Sequence, residues 1–237
     1  CTTLAKQIRQ EDRADTVIEL ANLAMLDSGA LVVPGVSEKP LFLDRDTLRK
    51  LLALLPGEAG GAYLASVWPQ LRAHNVNALI GQLAAGEIAG RRKEGFEPAQ
   101  AMFRHRNGPV EGSRAAYALG SPSYGAFDAD RVAEALALAV PPEARGEVHY
   151  DGKRSRFEVW FHSTAKPEDY VTGEFFRAGV IIRTDDTGGG SLRGSAAAEQ
   201  NLCLNLIITD LAETGTFRIR HTGDPRRMAT EFRAGFK

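Results

Sequence analysis

The sequence predicts an α+β fold, a helical N-terminal part followed by a mainly antiparallel sheet with packed helices. Three observations carry this. Apolar residues recur at helical spacing before residue 90, strict alternation appears in the second half, and Gly- or Asp-marked turns separate short segments. We divide the chain into a helical region over residues 1–90 and an α+β domain over 91–237, with one continuous fold as the alternative.

Taken in order, Val17, Leu20, Ala21, Ala24 and Met25 share a helical spacing that ends near Ser28-Gly29. Leu31-Val32-Val33-Pro34-Gly35 reads as a short extended segment entering a turn. Asp44 is placed to cap a second helix through Leu48, Leu51, Leu52 and Leu55, and residues 62–86 add helical spacing interrupted near Pro69. The polar stretch 90–112 reads as turns. Arg114 to Leu119 reads as a strand and Asp128 to Val140 as a capped helix closed by Pro141-Pro142.

Val148 to Ser163 forms a hairpin around Asp151-Gly152. Phe175 to Thr184 is a further strand, and Thr187-Gly188-Gly189-Gly190-Ser191 a hairpin tip. Residues 201–210 fit helix or strand, because Ala196-Ala197-Ala198 favours helix and Leu206-Ile207-Ile208 favours strand. Phe217 to His221 is a short strand. Asp224-Pro225 opens a last helix, Asp as cap and Pro at its first position.

The chain of 237 residues can bury a sizeable core, and 43% hydrophobic with 25% charged residues is ordinary for a globular protein. A formal net charge of -1 gives no whole-molecule attraction to nucleic acid, so electrostatic recognition must come from local segregation of charge. No apolar run is long enough to span a bilayer, and the polar start carries no signal peptide, so we expect a cytoplasmic protein without membrane contact. Cys203 lies in an apolar run, as buried free thiols do, and no Cys/His spacing suits zinc. Starting at Cys1 and stopping soon after a helix begins, the sequence reads as a piece of a longer chain.

Strand alternation gives the functional clue. Phe157, Val159 and Phe161 point one way and Arg156, Glu158, Trp160 and His162 the other. Phe176, Ala178, Val180 and Ile182 oppose Arg177, Ile181 and Arg183, and Phe217 and Ile219 oppose Arg218 and Arg220. In matching register these strands make one apolar face, which Met228 and Phe232 of the last helix would cover. The other face is arginine-rich and carries Trp160. Cations for phosphates and a ring for base stacking are what single-stranded nucleic acid requires. Arg91, Arg92, Lys93, Arg104 and Arg106 would extend the basic track. The plainer alternative is a solvated face whose arginines pair with Glu158, Glu174 and nearby Asp.

Residues 100–237 resemble the phage and plasmid family known as domain of unknown function 932. The carrying residues are Arg114 to Leu119, Tyr124, the helix from Asp128, Arg156 to Phe161, Phe175 to Gly190, Asn201 to Leu211 and Phe217 to Gly223. The resemblance implies a mobile-element protein and carries over no catalytic residue. The order of elements is also similar, at the level of fold plan, to single-strand annealing proteins, which implies a homo-oligomer acting without a cofactor.

Two other readings stay open. Asp185-Asp186 with Glu174 or Asp151 could hold Mg²⁺ for nuclease chemistry, and the helical N-terminal part could serve assembly alone. The glycines at 188–190 lack the Lys-Ser/Thr of a phosphate loop. His105, between arginines, should have a lowered pKa and suits a surface contact better than a general base, and His221 is placed to orient the turn before Asp224 or, as the lesser alternative, to contact a phosphate near the helix N-terminus.

Overall fold

Alternating apolar positions in the second half do assemble into a sheet with helices on one face, and the first half builds a second, separate sheet. The computed structural model describes residues 2–34, 36, 39–55, 63–85, 100–161, 175–202, 205–211, 216–221 and 224–235. The chain divides into two compact units. One comprises residues 9–124, and the other comprises residues 1–8 with 125–237. The boundary expected near residue 90 lies outside the described residues.

In the unit of residues 9–124 the strands are β1 (Ala14–Glu19), β2 (Ala24–Met25), β3 (Leu31–Val32), β4 (Leu41–Leu43), β5 (Gln100–Asn107) and β6 (Arg114–Gly120). Their order is β1-β5-β6-β4-β3-β2, antiparallel except between β4 and β6. Helices α2 (Arg45–Leu54) and α3 (Pro69–Ala84) accompany them. The carboxylate of Asp44 accepts the Thr47 N–H at 2.8 Å, which starts α2, and Pro69 sits in the first turn of α3, where a missing N–H costs nothing. Leu51 and Leu52 of α2 and Val76 and Ile80 of α3 join Ile18, Leu31, Leu41 and Phe103 of the strands in one core.

The first helix expected from the sequence is not there. Residues 14–25 form β1, a 3₁₀ turn at Leu20–Asn22 and β2. Leu20, Leu23 and Met25 are buried because the chain turns back on itself, and Val17 is exposed. The bend reproduces a helical spacing without a helix. β5 is likewise a strand inside a stretch read as turns. Its polar residues are matched by β1, with Asp15 directly opposite Arg104.

The unit of residues 1–8 and 125–237 holds α1 (Thr2–Gln10), of which residues through Ile8 belong to it, α4 (Ala129–Ala139) and α5 (Pro225–Gly235). Its strands are β7 (Arg145–Tyr150), β8 (Arg154–Trp160), β9 (Phe175–Asp185), β10 (Leu192–Leu202), β11 (Asn205–Leu211) and β12 (Phe217–Ile219). The sheet runs β11-β10-β9-β8-β7, with β12 paired to the start of β10, and every pairing is antiparallel. The stretch 201–210, which fitted helix or strand, is therefore strand where described, and so is its Ala196-Ala197-Ala198 lead-in.

The apolar face lies where alternation placed it. Phe157, Val159, Ile182, Leu192 and Ile219 pack against Leu4 and Ile8 of α1, Val132 and Leu136 of α4, and Met228 and Phe232 of α5. Phe232 meets Phe127 at 5.9 Å and the edge of Phe217 at 5.6 Å between ring centroids. Phe217 in turn lies over Gly194, where an added Cβ would fall 2.1 Å from its ring. Among the described residues, no helix is long and apolar enough to cross a membrane.

Candidate nucleic-acid interface

Cross-strand register decides which arginines share a face. Arg156 of β8 stands opposite Arg183 of β9, Arg183 opposite Arg193 of β10, and Arg193 opposite Arg218 of β12. On the other side Arg156 stands opposite His149 of β7. Strands lie ~4.8 Å apart, so the four guanidinium-bearing positions span roughly 14 Å in a straight line across the sheet. Like charges directly opposite one another destabilise a sheet, and here the juxtaposition recurs at each junction from β8 to β12.

Partial neutralisation comes from within the face. Arg156 pairs with Glu158 at 2.8 Å and Arg154 with Asp185 at 3.2 Å. Arg193 and Arg218 both donate to the Ser191 hydroxyl, at 3.3 and 2.8 Å, and among the described residues neither has a carboxylate partner. Arg183, Arg193, Arg218 and Arg220 are exposed and Arg156 is half-buried. The row is thus a cationic surface held by ordinary strand geometry.

Trp160 does not belong to that surface. It is 6% exposed, on the same face but further along β8, packed with Ile181 and Ala197. Its ring lies against Gly179 of β9, where a Cβ would be 2.3 Å from Cε3. The expected stacking platform is therefore a buried packing residue. A glycine directly across the sheet, with Ile181 beside it, was the available signal.

The basic track expected from residues 91–106 is also corrected in part. Arg104 is 2% exposed, bound to Asp15 at 3.0 Å and to the Tyr124 hydroxyl at 3.2 Å. Its guanidinium lies 4.8 Å from the Tyr124 ring and 5.5 Å from that of Tyr117. Arg106 pairs with Glu11 at 3.0 Å and also faces Tyr117. These arginines hold the first sheet together. Arg91, Arg92 and Lys93 lie outside the described residues, as does the side chain of Arg177 on β9. Sequence reasoning missed Arg193. It and Arg183 are equally distant from Gly188 at the tip of the β9–β10 hairpin, and that symmetry pairs them.

His105 is buried, not at the surface, at 4% exposure. Burial first, then the neighbouring Arg114 charge, lowers its pKa to about 4 despite Asp15 and Asp12. Arg114 Nε donates to Nδ1 at 2.9 Å, so the neutral ring carries its proton on Nε2 and donates to Thr16 Oγ1 at 3.0 Å. That polarity is the reverse of a base activating a hydroxyl nucleophile, and the trio is structural.

The carboxylates considered for Mg²⁺ have structural work as well. Asp186 is fully buried and accepts the Ala129 N–H at 3.0 Å, capping α4 from just beyond the end of β9. Asp185 accepts from Thr187 N–H at 2.9 Å and binds Arg154. Asp151 closes the β7–β8 turn by accepting from Arg154 N–H at 2.7 Å and Lys153 N–H at 2.9 Å. Desolvation pushes its pKa up, but those hydrogen bonds and the Arg154 and Lys153 charges outweigh it and hold the carboxyl below its usual value. Glu174 lies outside the described residues, and among the described ones no group of His, Cys, Asp and Glu is arranged to hold a metal.

No protein-family model matches the chain, and neither the curated proteins nor the solved structures contain a match.

Proposed function

We propose that the chain binds the phosphate backbone of nucleic acid, single-stranded DNA in particular, through Arg156, Arg183, Arg193 and Arg218, with Arg220 beside them. The observation that carries this is the in-register arginine row, in which Arg183, Arg193 and Arg218 are exposed and like charges stand opposite one another at a cost to folding. A flat row of cations contacts backbone, not base edges, so binding is sequence-independent. With Trp160 buried, affinity comes from phosphate contacts and falls steeply with salt. The resemblance of residues 100–237 to a phage and plasmid family supports a mobile-element setting. The same reading includes a cytoplasmic location, self-association and no cofactor.

The test is fluorescence anisotropy of a labelled single-stranded oligonucleotide, titrated at low and moderate salt without metal and repeated with a duplex of the same sequence. Salt-sensitive binding that prefers the single strand is the expected result. Absence of binding at low salt removes the proposal.

A further inference from the structure

The two sheets treat their outermost strands differently. At β2, the edge of the first sheet, the Asn77 side chain closes the open backbone. Its Oδ1 accepts the Met25 N–H at 2.7 Å and its Nδ2 donates to the Met25 carbonyl at 2.8 Å. Edge strands left open are pairing sites, and such cover is a usual protection. β7 ends the other sheet, and among the described residues no side chain does this for Gly146 or Val148. β7 contains no proline and pairs with β8 without a register shift.

Hydrogen-bond phase tells which residues of β7 face outward. Asp151 N–H donates to the Arg154 carbonyl at 3.2 Å, so bonded pairs with β8 recur at every second position: Arg145, Glu147 and His149. The Phe161 N–H bond to the Ala178 carbonyl, 3.0 Å, fixes the complementary phase between β8 and β9 and agrees with it. Gly146, Val148 and Tyr150 therefore direct their N–H and C=O groups away from β8. Val148 and Tyr150 also sit half-buried at the margin of the apolar core.

We infer that β7 pairs antiparallel with β7 of a second copy, about a two-fold axis through Val148. In that register Val148 meets Val148 as a bonded pair and Gly146 stands opposite Tyr150. On the polar face Arg145 stands opposite Asp151 and Glu147 opposite His149, each twice by symmetry, and all four are exposed. Sliding the axis to residue 147 sets Glu147 against Glu147. Sliding it to residue 149 sets Glu147 against Asp151. The register about Val148 is thus the one that sets no carboxylate against a carboxylate and pairs Arg145 with Asp151. Because the axis stands perpendicular to the sheet, both polar faces point the same way. The two arginine rows then share one surface, offset by about 7 Å along the strands. The pairing stands without the nucleic-acid reading and deepens it.

The test is sedimentation equilibrium of the full chain at concentrations up to about 100 μM without nucleic acid, on wild type, Glu147→Arg and the charge-swapped Glu147→Arg/His149→Glu, with circular dichroism confirming that each is folded. We expect a wild-type dimer, a Kd raised at least about ten-fold in Glu147→Arg, and recovery in the double variant. A wild-type monomer throughout overturns the inference. So does a dimer that Glu147→Arg leaves unchanged or that the charge swap fails to restore. Because no nucleic acid is present, the outcome is independent of the binding proposal.

Discussion

Acidification should destabilise the unit of residues 9–124 through one side chain, His105. Its ring is neutral in the folded chain, with a pKa of about 4 against an ordinary 6.5. Above pH 6.5 neither folded nor unfolded chain binds the proton, and the full stability is present. As pH falls from 6.5 toward 4 the unfolded chain takes up the proton first, so stability is progressively lost. The gap is worth roughly 3 kcal/mol once both states are protonated. Glutamine at this position offers an oxygen to Arg114 and an N–H to Thr16 but does not titrate. The assay is urea unfolding of wild type and His105→Gln at matched pH values between 7.5 and 4, because every other titrating group is common to both. The difference in unfolding free energy should shift by roughly 3 kcal/mol in favour of the variant across that range. Parallel pH profiles would refute the assignment of a buried neutral imidazole held by Arg114.

Two further expectations follow from packing. Trp160→Ala should cost about 3–5 kcal/mol of stability, read by chemical denaturation, and leave oligonucleotide affinity of the folded fraction unchanged; a selective loss of affinity would restore the stacking role. Asp186→Ala removes the buried acceptor at the start of α4 and should cost about 2 kcal/mol. A loss below a few tenths of a kcal/mol would show that the cap contributes little.

Much of the second half was legible because its signals are local. The Asp151-Gly152 turn, the Asp44 and Asp224 caps and the alternation in β8, β9 and β12 each follow from one segment's chemistry, and cross-strand register then brought the faces together as expected. The failures have tertiary causes. Residues 14–25 look helical because a strand, a 3₁₀ turn and a second strand bury Leu20, Leu23 and Met25 at uneven intervals. β5 was hidden by Arg104 and Arg106, whose charges are answered by Asp15 and Glu11 from distant sequence. Ala196-Ala197-Ala198 has helical propensity, but pairing with β9 and packing of Ala197 beside Trp160 make it strand. Trp160 was misplaced because alternation assigns a face and says nothing of what else covers it.

The arginine row is tested most directly by the salt dependence of single-strand binding in wild type and Arg193→Gln/Arg218→Gln, with Arg131→Gln on the exposed side of α4 as control. Four phosphate contacts give a slope of log affinity against log salt of about −3. Removing two should reduce its magnitude by about 1.4 and weaken binding, while the control matches wild type. A slope that the double variant leaves unchanged, or no binding at about 20 mM salt, would contradict the assignment of this face to nucleic acid.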